Sequence, residues 1–144
     1  MPANTDESPV SLEELSAHLS TEIPNLDKVR VALGEVYREA VEGGQASDFH
    51  DFTRADLLKV VEYSNDTLPG LTGKPEAQLE ESSRLHQNLN EVEMEAYTNL
   101  AEIDEARKYG DGPSEQIVDE QNNLNVEAAT IRAQLHLFEA AFGK

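Results

Sequence analysis

The sequence predicts an all-α protein, a small N-terminal unit of three helices packed with a long antiparallel helical hairpin over about residues 75–142. Three observations carry this. Aromatic residues are few, Trp is absent, and the apolar content rests on Leu, Val and Ala, which suits helix packing better than a β-sandwich. No Pro or Gly interrupts the chain between Pro75 and Gly110. On both sides of the turn Gly110-Asp111-Gly112-Pro113, apolar residues recur in alternating steps of three and four, the period of one helix face.

Residues 1–10 read as an extended acidic arm, of the kind that neighbouring chains hold in place. Ser11-Leu12-Glu13-Glu14 is a capping box, and Leu12, Leu15 and Leu19 give the short helix behind it one apolar side. That helix ends before Thr21-Glu22-Ile23-Pro24. A second helix runs from about Asn25 to Glu42, with Leu26, Val29, Leu33, Val36 and Ala40 on its stripe and Tyr37 and Val41 widening it. Gly43-Gly44 terminates it, because Gly takes the left-handed conformation without strain. Phe49 and Phe52 anchor the following loop to the core. Thr53 and Asp56 form a cap pair for a third helix, from about Arg54 to Tyr63. Its Leu57, Leu58, Val60 and Val61 face several directions, the mark of a buried bundle centre. Leu68-Pro69-Gly70-Leu71-Thr72-Gly73 then breaks helical structure. The chain thus divides into the arm (1–10), an N-terminal helical unit (11–66), a linker (67–74) and the hairpin (75–144), forming one compact domain.

Pro75 occupies a first-turn position, and the helix it opens extends about 35 residues, roughly 50 Å. Ser114 caps the last helix, which continues to Phe142 with Gly143 as its C′ residue. The seam of this hairpin is Leu85, Leu89, Val92, Ala96, Leu100 and Ile103 on one helix. On the other it is Ile117, Gln121, Leu124, Ala128, Ile131, Leu135, Phe138 and Phe142. Folding at the glycine turn pairs Leu100 with Leu124, Val92 with Ile131, Leu89 with Leu135 and Leu85 with Phe138 in a single register. A second apolar set lies off the seam: Val126, Ala129, Ala133 and Leu137 on the last helix, Met94 and Tyr97 on the one before. Part of this surplus receives the N-terminal helices. The rest predicts an interaction surface drawn from Val126, Ala133, Leu137, Phe142, Met94 and Tyr97, with the N-terminal arm.

Chemistry-bearing motifs do not emerge. Without Cys there is no disulfide, thiol nucleophile or zinc-thiolate site. The histidines are His18, His50, His86 and His136, and none has a Glu three residues before it, as a helical di-metal site needs. Asp48-Phe49-His50-Asp51 gathers acids around a His but has no nucleophile to activate and reads as a loop cap. Asp104, Asp111 and Glu115 do not match a calcium loop, and Gly70-x-x-Gly73-Lys74 is too short for a phosphate loop and follows no strand. Glu91, Glu93 and Glu95 fall on different helix faces. Neither a metal nor a cofactor is expected, and the reading is non-enzymatic. No apolar run approaches the roughly 18 residues of a membrane span, and Met1 to Pro9 lacks the pattern of a signal peptide. A virion or cytoplasmic location is expected.

The net charge of −18 excludes ready binding to nucleic acid or anionic membrane and favours basic partners. Arg30, Arg38, Arg54, Arg84, Arg107 and Arg132 are scattered singly, so no basic patch offsets it. Three readings of the acidity stand: adaptation to molar salt, mimicry of nucleic acid or another acidic partner, and an ordinary acidic helical surface. Lys28, Lys59, Lys74, Lys108 and Lys144 are few and isolated, where helical proteins commonly pair Glu with Lys four residues on. That favours the salt-adapted reading, although the excess of Glu over Asp pulls against it.

The run Ser11-Leu12-Glu13-Glu14-Leu15-Ser16-Ala17-His18-Leu19, followed by a short gap and an amphipathic helix ending at Gly43-Gly44, resembles the opening of head–tail connector (adaptor) proteins of tailed viruses. The resemblance covers residues 11–44. It implies a small helical subunit that assembles in a ring beneath the portal. The resulting expectation is a structural subunit of a large assembly, a homo-oligomer within a virion from a salt-adapted host. The competing expectation is a soluble acidic regulator or chaperone that binds a basic or helical partner through the hairpin.

Overall fold

The computed structural model of the chain describes residues 11–42, 52, 54–110 and 112–143. Within them the chain is helical, with no strand. The elements in order are α1 (Leu12–Ala17), α2 (Leu26–Glu42), α3 (Arg54–Thr67), a 3-10 turn (Pro69–Leu71), α4 (Pro75–Tyr109) and α5 (Glu115–Phe142). The all-α architecture ending in a long hairpin is therefore the architecture observed. The acidic arm, Gly43-Gly44, Phe49, the acid–His cluster around His50, Thr53 and Asp111 lie outside the described residues.

Local chemistry explains most boundaries. The Ser11 hydroxyl accepts the Glu14 amide at 3.1 Å and starts α1. Asn25 starts α2 from the left-handed region (φ 53°), which Asn tolerates better than other side-bearing residues. Its carbonyl accepts the Lys28 and Val29 amides, and its side-chain amide donates to the Ala141 carbonyl at 2.6 Å. One residue therefore joins the start of α2 to the last turn of α5. Ser114 accepts the Ile117 amide at 3.2 Å to open α5, and Gly143, at φ 78°, closes it with its amide on the Glu139 carbonyl.

α5 is the centre of the fold. It packs against α4, α2 and α3, whereas α4 packs mainly on α5 and touches the 3-10 turn. The core joins Leu15, Leu33, Val36 and Val60 of the N-terminal unit to Ala128, Ala133, Leu137 and Phe138 of α5. Leu68 is fully buried and Leu71 packs against the core, so the segment expected to be a linker is anchored there. Asn65 of α3 ties down the α1–α2 connection: its Oδ1 accepts the Ser20 amide and its Nδ2 donates to the His18 carbonyl, each at 2.7 Å.

The seam residues Leu85, Val92, Ile131, Leu135 and Phe138 are buried, and Leu89 and Leu124 are half-buried. Leu100 is not a seam residue: it is 49% exposed. Asn99 is buried in its place, and its amide donates to the Ile117 carbonyl at 3.0 Å. The pairing of Leu100 with Leu124 would set Asn99 opposite Asn125, eight residues and about 12 Å along the axis from Ile117. Near the connection the register therefore departs from the one expected. In the loop the Gly112 amide folds back onto the Ala106 carbonyl in the last turn of α4.

Substitutions at three positions test this packing. Leu137→Ala should lower unfolding free energy by about 2–5 kcal/mol in urea titration, while Met94→Ala should change it little. Equal effects would mean that Leu137 is not in the core. Asn25→Ala should cost about 1–3 kcal/mol through its backbone conformation and the orphaned Ala141 carbonyl. Asn25→Gly should cost less than Asn25→Ala, and the reverse order would show that the positive φ is unimportant.

Candidate interaction surface

The hairpin separates into a base, where the N-terminal helices cover α5, and an arm that extends past them. Eight of the nine buried residues of α5 lie from Ala128 onward, and Gln121 alone is buried before that. This division decides which surplus apolar residues remain available. Ala133 and Leu137 were expected to offer an interaction surface, yet both are fully buried. A helix covered from three sides turns its off-seam positions toward the other helices. Charging Leu137 would place an unpaired charge in the core and so reports on folding, not assembly. Phe142 is half-buried against Phe138, their ring centroids 5.1 Å apart. Val126 is half-buried, and Met94 and Tyr97 are exposed at 62% and 75%.

Along one side of the hairpin runs a continuous groove. Its upper part, a cleft of about 950 Å³, lies between the start of α3, the middle of α4 and α5, over Val92, Val126 and Ile131. Its lower part, about 870 Å³, continues along the arm beside Met94, Asn99 and Leu124. Glu91 and Glu95 belong to both parts and join them. Glu127 stands over the upper part and Glu102 and Glu120 over the lower, with Lys59 the one cation among the lining residues.

Two carboxylates on α4 outside the groove are neutralised. Glu93 meets Arg132 of α5 at 2.6 Å, bridging the two hairpin helices. Glu81 accepts from both Arg84 nitrogens, at 3.1 and 2.7 Å, and from the Tyr63 hydroxyl at 2.7 Å. Burial pushes the Glu81 carboxyl up, but the hydrogen bonds from Arg84 and Tyr63, with the Arg84 charge, outweigh it and hold it below its ordinary value. Burial pushes the Tyr63 hydroxyl well above the ordinary phenol, helped by its bond to the Glu81 carboxylate. This triad clamps α3 to the start of α4. By contrast, Glu91, Glu95, Glu102, Glu120 and Glu127 take part in no ion pair among the described residues.

The described histidines are dispersed. The His18 amide closes α1 by donating to the Leu15 carbonyl, His86 Nδ1 lies 2.8 Å from the Ser82 carbonyl oxygen, and His136 meets Glu35 across α5 and α2. Among the described residues no group of three His, Asp or Glu is placed to hold a metal ion. No described helix is long and apolar enough to cross a membrane.

Sequence reasoning overlooked the asparagines. Asn99 keeps the strict alternation 85, 89, 92, 96, 99, 103, and following that spacing instead of the nearest apolar residue would have found it. Asn25 and Asn65 act on backbone groups far along the chain, and no local pattern signals that.

Compared with family models, curated proteins and solved structures, the chain matches none.

The triad predicts a pH signature. The folded-state value of Glu81 is lowered, so its contribution is complete above the ordinary carboxylate range and is lost as pH falls through the lowered value. The folded-state value of Tyr63 is raised, so its contribution is complete below about pH 10 and erodes above it. In urea titrations across pH, Glu81→Gln should flatten the acid limb of stability, and Tyr63→Phe should flatten the alkaline limb. An unchanged acid limb in Glu81→Gln would show that the triad does not hold α3 to α4.

Proposed function

We propose that the chain is a non-enzymatic structural subunit of a larger protein assembly, working through the surfaces of its hairpin. One observation carries this reading. Met94, Tyr97 and Leu100 succeed one another in steps of three on α4, exposed at 62%, 75% and 49%, on a helix whose main packing partner is α5. Large apolar side chains spaced this closely on an exposed helix favour contact with another chain. The specific form of the proposal is a head–tail connector-type virion protein from a salt-adapted host. Its support is the resemblance over residues 11–44 and the acidic, lysine-poor composition. In such an assembly, salt screens the charge that keeps copies apart, with a Debye length of about 3 Å at 1 M, while apolar contacts persist.

A second reading, an acidic regulator or chaperone that binds a basic or helical partner through the hairpin, is favoured by the unneutralised carboxylates along the groove.

Light-scattering mass on a sizing column, in molar KCl and in dilute buffer, tests the first reading. A defined oligomer should form in molar KCl and loosen in dilute buffer. Tyr97→Glu should reduce it to monomer without loss of helicity. A monomer at both salt concentrations would overturn the subunit reading, and an oligomer indifferent to Tyr97→Glu would remove the α4 stripe from it.

A further inference from the structure

We infer that the groove on the α3–α4–α5 side is the docking site for a basic amphipathic helix of a partner protein. The inference deepens the second reading and depends on it. Shape comes first. From Asn88 to Glu102 the groove follows α4 for about 20 Å, the length of some four turns of an incoming helix. At its floor the buried Val92 and Ile131 lie beneath the half-buried Leu124 and Val126, which supply its accessible apolar surface between α4 and α5. An apolar stripe laid along such a floor is how a helix is held in a groove, with anchors three and four residues apart.

Charge then selects the occupant. Glu91, Glu95, Glu102, Glu120 and Glu127 rise beside this floor without cationic partners, although Glu81 and Glu93 on the same helix have theirs. Arg84 and Arg132 are spent away from the groove, which leaves the field along it strongly negative. A second copy of this chain carries −18 and would bring like charge against it. Nucleic acid and anionic membrane are repelled for the same reason. A helix with Lys or Arg flanking an apolar stripe satisfies floor and rim together. Such a helix gains steering from the rim and residence from the floor.

The probe is a synthetic 14-residue peptide of Leu and Lys with its Leu residues on one helical face. A peptide of the same composition with Leu scattered is the control. Fluorescence anisotropy in dilute buffer should show one-to-one saturation by the striped peptide, at least tenfold tighter than the scattered one. Glu95→Lys combined with Glu120→Lys should weaken it at least tenfold. Glu22→Lys combined with Glu39→Lys, an equal charge change outside the groove, should weaken it less than threefold. All four positions are exposed, and helicity measured in each variant separates loss of binding from loss of fold. Equal weakening by both pairs, or equal affinity for both peptides, would overturn the groove as the site while leaving a diffuse acidic surface for a basic partner. Failure of both peptides to bind would overturn both the inference and the reading beneath it.

Discussion

From Ala128 onward α5 is buried by α4, α2 and α3 together, and the rest of the fold is arranged around that burial. Four of the residues that make it possible are small: Ala128, Ala129, Ala133 and Ala141 let neighbouring backbones approach closely. The larger Ile131, Leu135, Leu137 and Phe138 fill the spaces between them. Because α5 serves three partners, α1, α2 and α3 need little contact with α4 to belong to the same core. The polar ties reinforce the same axis. Asn25 fixes the start of α2 to the end of α5, His136 meets Glu35 between those helices, and the Tyr63–Glu81–Arg84 triad joins α3 to α4.

Much of this was legible in the sequence for physical reasons. Capping chemistry is local, so Ser11, Ser114 and Gly143 announced their helix ends. The hairpin was legible because Pro75 and the Gly110 turn bound two long periodic stretches. Its register was not, because an alternation of three and four maps onto itself when one helix slides by half a heptad. The burial of Asn99 in place of Leu100 and its hydrogen bond to Ile117 distinguish the two alignments. The burial of Ala133 and Leu137 was hidden for a different reason. A stripe shows that a face is apolar but does not show which neighbour covers it. The groove was hidden as well, since Glu91 and Glu95 look like solvated surface until α3 and α5 rise on either side.

Charge is compensated only locally. In the base, where α3 meets α4, a carboxylate is neutralised by a guanidinium and a phenol. Around the groove, carboxylates of α4 and α5 face one another without such compensation. Like charges across a hairpin work against its closure, at a cost that salt reduces. A basic partner lying between them removes the same repulsion more specifically, so partner binding and hairpin stability are favoured by the same event.

This coupling falls where the structure has least to spare. Beyond Val92 on α4 the buried residues are Asn99 and Ile103, and on the facing stretch of α5 only Gln121. Two of these three are amides, and the buried Gln121 Oε1 has no hydrogen-bond partner among the described residues. A polar layer of this kind helps specify which residues face each other, at a cost in stability that an apolar layer would not incur. The arm is thus held by alignment more than by burial, while the base is held by burial. Opening free energies follow buried apolar contact, so the arm belongs to the low-stability end of the molecule, from which binding surfaces are commonly drawn. A partner helix resting on Val92, Leu124 and Val126 would supply the apolar cover that the arm lacks. The function proposed for the hairpin and the weakness of its distal half then have a single physical origin.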